Sequence, residues 1–329
     1  MAKQFKNILA TVVFTLVGVA LMGWIYRGFD FRPLREVFAV RDNYLWIVLA
    51  LLVGVLANVF RSLRWRMLLM GAGIPIKRRR AIELVFISYL INSVTPRLGE
   101  LTRSVLVRRG DVKVMSKALG TVGVEKLADV VCLLLVVILA VSLRWDDTQL
   151  LLQRGLGKWH IDGSSFWLYT VACCLICAVL VVIFLRIRQM RKLIRLMWEG
   201  MLSIGRLPNF TGFIGLCIGI WICNFLQLYL LVPCFKSLSS LSVVDAFFLF
   251  GAASIGVLLP TPGGAGPWHF AIVKTLTGIF GANASVAKMF ALVTHGLKTA
   301  LIILLGLLAY VTFYWDIWTK TRKKEQLKK

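Results

Sequence analysis

The chain has 329 residues, 59% of them hydrophobic and only 16% charged. Soluble domains carry about 25% charged residues, so a soluble enzyme is excluded and an all-α polytopic membrane protein is expected. The net charge of +24 would suit nucleic acid, but the basic residues lie in short runs beside apolar segments. That is the pattern of the positive-inside rule and of anionic-lipid contact, so nucleic acid is not expected as a partner.

Lys3 and Lys6 precede an apolar run over 8–26 with no small-residue cleavage site after it. This predicts a first membrane span, not a removable signal. A second span over 45–69 carries Arg61, Arg64 and Arg66 toward its end. They read as an anchor on anionic lipid at the cytoplasmic surface, with a headgroup funnel as a lesser role.

The stretch 81–109 is too long for one span and is broken at 92–100 (NSVTPRLGE). It reads as a helical hairpin that enters and leaves on one side. A third span follows over 118–143, then an outside connection in which His160 sits beside Trp159 as an interfacial residue. A fourth span over 166–185, a basic connection over 186–210 and a fifth span over 212–235 come next. The second broken stretch, 245–281, has its break at 259–266 (LPTPGGAG) and is flanked by nearly neutral connections, which places both its ends outside. A sixth span over 285–313 leads to a basic tail over 314–329. The charge bias puts both termini in the cytoplasm of a multi-pass protein of the cytoplasmic (inner) membrane.

Six full transmembrane helices and two re-entrant hairpins thus fill a single transmembrane domain over 1–329. The order of elements repeats, with repeat A over about 8–143 and repeat B over about 166–313. Three spans per repeat is an odd number, so the second copy is inverted. An offset of 166 sets Asn58 on Asn224 and Pro96 on Pro262. Paired broken segments in two halves point to a binding site in transporters of this kind.

At the first break, a helix beginning at Pro96 would have its N-terminus buried, with free N–H groups and the positive dipole end facing an anion. Arg97 lies at that tip, Arg103 about two turns on, and Glu100 between them. In the next span Glu125 and Asp129 stand at i and i+4, like charges on one face that need cations nearby. Arg97 and Arg103 are the expected counter-ions, either as a structural network or with a headgroup contact added.

At the second break, Pro262, Gly263, Gly264 and Gly266 leave amides open at the start of a helix that carries His269 and Lys274. Close helix packing is the competing explanation for the glycines. His269 and His295 are the intramembrane histidines, either one a proton carrier or a hydrogen-bonded core residue. Lys298 would snorkel or pair with an acid. The seven cysteines sit in apolar segments as packing thiols. No metal site, cofactor motif or catalytic residue is expected, and no nucleotide-binding loop is present.

The runs NSVTPRLGELTRSVLVRRG, ALGTVGVEKLADVV and LLPTPGGAGPWHF resemble the membrane region of lysylphosphatidylglycerol synthases, a flippase-like family that extends to archaeal proteins of dolichol-phosphate sugar metabolism. The likeness covers nearly the whole chain and rests on Gly99, Glu100 and Arg103, on Glu125 and Asp129, and on Pro262, Gly263, Gly264 and Gly266. It implies a module that moves aminoacylated or prenyl-linked anionic lipids between leaflets. Lys126 stands where the family usually has arginine, and His269 where it usually has glutamate, so charge and proton logic differ there. Lysyl transfer belongs to a separate soluble domain that follows such membrane regions; with a basic tail ending at Lys329, that activity is not expected here.

The combined expectation is a flippase or scramblase, not an enzyme, for a lipid with an anionic phosphate headgroup. Arg97 and Arg103 would hold phosphate, and Glu100, Glu125 and Asp129 would position the arginines. The alternatives are a membrane-embedded transferase that uses a lipid-phosphate carrier, and a membrane docking partner for a separate cytoplasmic lipid-modifying enzyme.

Overall fold

The computed structural model describes residues 16, 18–29, 34–95, 98–108, 110–146, 148–149, 205, 207, 209–258 and 261–326. Among these the chain is helical with no strand. The helices are α1 over 18–25, α2 Leu34–Ala39, α3 Asn43–Gly71, α4 Arg78–Val94, α5 Leu98–Val107, α6 Val112–Leu143, α7 Phe210–Tyr229, α8 Val243–Gly256, α9 Pro267–Gly278 and α10 Ala284–Gln326.

Local chemistry sets these boundaries. Gly73 (φ 76°) and Pro75 end α3, with the Ile74 amide donating back to the Leu69 carbonyl. Pro96 forces Thr95 into extended backbone and so ends α4. The carboxylate of Asp111 accepts from the Val114 amide at the start of α6, and Asn209 does the same for Gly212 at the start of α7. Ser242 and Asp245 form a reciprocal capping box on α8.

Among the described residues four helices are long and apolar enough to cross a membrane: Asn43–Gly71, Val112–Leu143, Phe210–Cys234 and Ala284–Thr319. The expected span over 166–185 lies outside the described residues, and that over 8–26 is described only from residue 16, where 18–25 is helical. The two broken stretches resolve into packed pairs of short helices, α4 with α5 and α8 with α9. At 1.5 Å per residue, α5, α8 and α9 reach about 15, 21 and 18 Å, each short of a ~30 Å hydrocarbon core.

Two elements run longer than the sequence suggests. α6 begins six residues before the expected start at 118, because Asp111 caps it. α10 continues through 314–326, which the sequence assigns to a basic tail. Nothing between Leu307 and Gln326 breaks a helix, and α4 holds the extension. Arg80 stacks on Phe313 with its guanidinium carbon 3.3 Å from the ring centre, and Arg79 lies 3.6 Å from Asp316.

Packing is inside-out relative to a soluble protein. α6 turns Leu134, Leu135, Ile138 and Leu139 outward and buries Thr121 and Glu125. Hydrocarbon is as apolar as leucine, so exposing leucine to it costs little, and polar groups go to the helix interfaces. One apolar cluster gathers Ile47, Ala50, Leu228, Leu249, Phe250, Ile272 and Phe290, and another gathers Trp65, Leu69, Leu84, Ile87 and Phe313. α3 contributes to both, with Ile47 and Ala50 in the first and Trp65 and Leu69 in the second. The residues of α3 between them carry the charge.

Candidate functional site

The arginines of α3 and the carboxylates of α6 meet in the protein interior. Glu125 and Asp129 fall on either side of the midpoint of α6. Arg61 Nη1 donates to Asp129 Oδ2 at 3.0 Å. Arg64 Nη2 lies 2.8 Å from Asp129 Oδ1 and 3.7 Å from Glu125 Oε1. The first of these is a charge contact whose angle falls outside hydrogen-bond geometry. From α5, Arg103 Nη2 donates to Glu125 Oε2 at 2.9 Å, and its guanidinium lies over the ring of Trp65. Trp65 in turn donates to Thr121 at 3.2 Å.

The side chain of Arg64 is 0% exposed, and those of Arg103 and Glu125 are 3% and 2% exposed. Asp129 and Arg61, each 19% exposed, mark the more open side. Isolated charges at this depth would cost several kcal/mol each; here each carboxylate has two cations or a cation and an amide. Even so, Arg64 Nε and Arg103 Nε are buried with no acceptor among the described residues.

Glu100 belongs to the same neighbourhood. It receives Lys126 Nζ at 2.9 Å and the Asn92 amide at 3.0 Å. Asn92 also accepts from the Gly99 amide at 2.8 Å, which ties the end of α4 to the start of α5. A β-carbon at Gly99 would sit 1.9 Å from the Ser88 carbonyl oxygen, so only glycine allows this approach.

Of the sequence-level candidates, Arg103, Glu100, Glu125 and Asp129 come together. Arg97 and Pro96 lie outside the described residues. The reading of Arg61 and Arg64 as interfacial anchors is corrected: they are the cations that hold Asp129. Arg66 does sit at the helix end, where it donates to the Ile76 carbonyl at 2.9 Å. The missed signal was depth. Seven more residues of α3 follow Arg64, about 10 Å of helix at 1.5 Å per residue.

The second break forms a separate polar centre. Pro262–Gly264 make a single 3-10 turn, with Gly263, Gly264 and Gly266 at φ 59°, 79° and 92°. The amides of Gly264 and Ala265 are used within the turn, donating to Thr261 and Pro262. The turn is therefore less open than its glycines suggest. Gly18 of α1 lies against Thr261, Ala265 and Gly266, so the first helix backs the break. His269 is buried, with its ring centre 4.6 Å from that of His295 and 5.8 Å from that of Tyr26. Its Nδ1 and the hydroxyls of Thr261 and Thr294 have no partner among the described residues.

The two centres are neighbours. The 3-10 turn packs on α4. On α10, His295 Nε2 lies 3.0 Å from the Gly263 carbonyl. His269 itself contacts His295, Tyr26 and Trp268 and, among the described residues, no carboxylate. Among the described residues no group of His, Cys, Asp and Glu could hold a metal ion.

No curated protein and no solved structure matches the chain. A protein family does: lysylphosphatidylglycerol synthase TM region, over residues 7–306. That match takes in both breaks and every charged residue of the centre, and this multi-pass membrane protein belongs to the lysylphosphatidylglycerol synthase TM region family.

Proposed function

We propose that the chain moves a lipid with an anionic phosphate headgroup between leaflets, as a flippase or scramblase and not as an enzyme. The observation that carries this is the pair of buried guanidinium groups near the midpoint of α6, Arg64 and Arg103, which are incompletely satisfied among the described residues. Structural ion pairs need their charges balanced; donors left over in a low-dielectric interior favour an anionic ligand. The headgroup would cross at Arg61, Arg64 and Arg103 while the acyl or prenyl tails stay in hydrocarbon.

In this reading α4–α5 and α8–α9 are re-entrant hairpins that dip from opposite faces of the cytoplasmic membrane, with both termini in the cytoplasm. Their short lengths and the packing of the second break on α4 support it. The inverted repeat is supported by the packing of α3 on α7, the helices it equates, where Gly54 meets Gln227 and Gly219 meets Phe60. A cytoplasmic lipid-modifying enzyme would be a natural source of the cargo.

The test is a leaflet-resolved lipid assay in proteoliposomes. Acceleration over empty vesicles, lost on Arg103→Gln, is expected. A panel of anionic lipids moving no faster than in empty vesicles counts against the proposal.

A further inference from the structure

An apolar groove begins one helical turn from the charged centre. It lies between α6, α7 and α8, encloses about 210 Å³, and has Cys132, Leu135, Trp221, Phe225, Phe247 and Phe250 in its walls. The rings brace one another, with Phe225 edge-on to Phe247 at 5.3 Å and Trp221 edge-on to Phe250 at 6.1 Å. Leu135 is 62% exposed, so the groove has a side open to the hydrocarbon of the bilayer.

Both long walls lead out of the charged centre in the same order. On α6, Asp129 holds Arg64 at 2.8 Å, and Cys132 enters the groove three residues later. On α7, Cys217 accepts from Arg64 Nη1 at 3.5 Å, and Trp221 enters the groove four residues later. Those offsets are about 4.5 and 6 Å of helix rise. In a glycerophospholipid the acyl ester carbonyl is only a few bonds from phosphorus, a reach of about one such turn, ~5 Å. A phosphate at Arg64 therefore brings an ester carbonyl to the level of Trp221.

One polar atom in this apolar lining has no partner. Trp221 Nε1 is buried and has no acceptor among the described residues. An indole nitrogen can only donate, a buried one ordinarily finds an acceptor, and the neighbouring aromatic faces are only weak ones. A purely apolar groove would take any hydrocarbon chain. A lone donor at this level favours a chain that starts with a carbonyl.

Resting on the reading of the arginine centre as a headgroup site, we propose that the groove seats the first part of an acyl chain of the same lipid, with Trp221 Nε1 donating to the ester carbonyl. The cargo class is then an acyl-ester glycerolipid, in preference to a prenyl-linked or ether-linked one. A prenyl chain has no carbonyl to offer, and an ether oxygen is a poorer acceptor than an ester carbonyl.

The experiment is equilibrium binding to the purified full-length protein in neutral detergent, read by native mass spectrometry. The probes are dioleoyl phosphatidylglycerol and its di-O-oleyl ether analogue, which share headgroup and chain length. The ester lipid should bind about fivefold more tightly, as expected for one hydrogen bond to a donor otherwise unmet. Trp221→Phe keeps a ring in the wall and removes the donor; it should bring the ratio below about twofold by weakening the ester lipid. Equal affinities in the wild-type protein overturn the proposal, with no variant needed. A fivefold ratio that survives Trp221→Phe overturns it as well, because the donor is then elsewhere. Arg103→Gln separates this inference from the one beneath it. It should weaken both lipids together and leave their ratio intact. Unchanged affinities in Arg103→Gln, with the ratio intact and still lost in Trp221→Phe, support the groove and count against the headgroup site. Weakening of both lipids in Arg103→Gln, with a wild-type ratio of one, supports the headgroup site and overturns the groove.

Discussion

Replacing Glu125 with glutamine keeps the shape of the side chain and removes one charge from the middle of the network. Its carboxylate lies 2.9 Å from Arg103 and 3.7 Å from Arg64. At an effective dielectric of ~20, those separations correspond to attractions of about 6 and about 4.5 kcal/mol. Desolvation offsets much of this in the intact protein, but the variant keeps both guanidinium groups buried and loses the compensation. Breaking a buried pair in this way costs about 3–5 kcal/mol. Glu125→Gln should therefore unfold well before the wild-type protein in a thermal series followed by size-exclusion chromatography in detergent. The double variant Glu125→Gln with Arg103→Gln should recover at least half of the loss. Asp111→Asn is the control, because it retains the cap and touches only an exposed pair with Arg108, worth about 0–1 kcal/mol. Polar contacts between membrane helices average about 0.6 kcal/mol. A loss for Glu125→Gln no larger than that would refute the view that these charges are tightly coupled.

Gly99→Ala should destabilise by about 1–3 kcal/mol, since its β-carbon would strike the Ser88 carbonyl, while Gly215→Ala, with no described atom within 4 Å, should be neutral or stabilise by up to about 1 kcal/mol; urea titration of the helical signal compares them. Phe313→Ala should cost about 3–5 kcal/mol in the same titration, because the ring is fully buried beneath Arg80 where α10 leaves the expected span. Lys126→Gln removes a half-exposed partner of Glu100. It should shift stability by less than ~1 kcal/mol, yet slow lipid movement in the leaflet-resolved assay.

Much of the site was legible because charge in an apolar run has few explanations. Glu125 and Asp129 announce a buried cation requirement, and the spacing from Glu100 to Arg103 places candidates in the preceding hairpin. The structure pairs Arg103 with Glu125 accordingly. Arg61 and Arg64 were misread because local charge density near a span end looks alike whether the side chains face headgroups or the interior. Three-dimensional proximity of α3 to α6 decides it. The contact of Gly18 with the second break, and the pairing of His269 with His295, join residues far apart in sequence, and no periodicity encodes such contacts. The extension of α10 depended on Phe313 and Asp316 finding α4; from sequence, the basic composition alone suggested a tail.

The most direct measurement is a cryo-electron microscopy structure of the protein in nanodiscs containing dioleoyl phosphatidic acid. Headgroup density is expected within hydrogen-bond reach of Arg64 Nε and Arg103 Nε, beside the midpoint of α6. Headgroups confined to the bilayer surface around Arg66 and Lys77, with the buried charges contacting only one another, would contradict it.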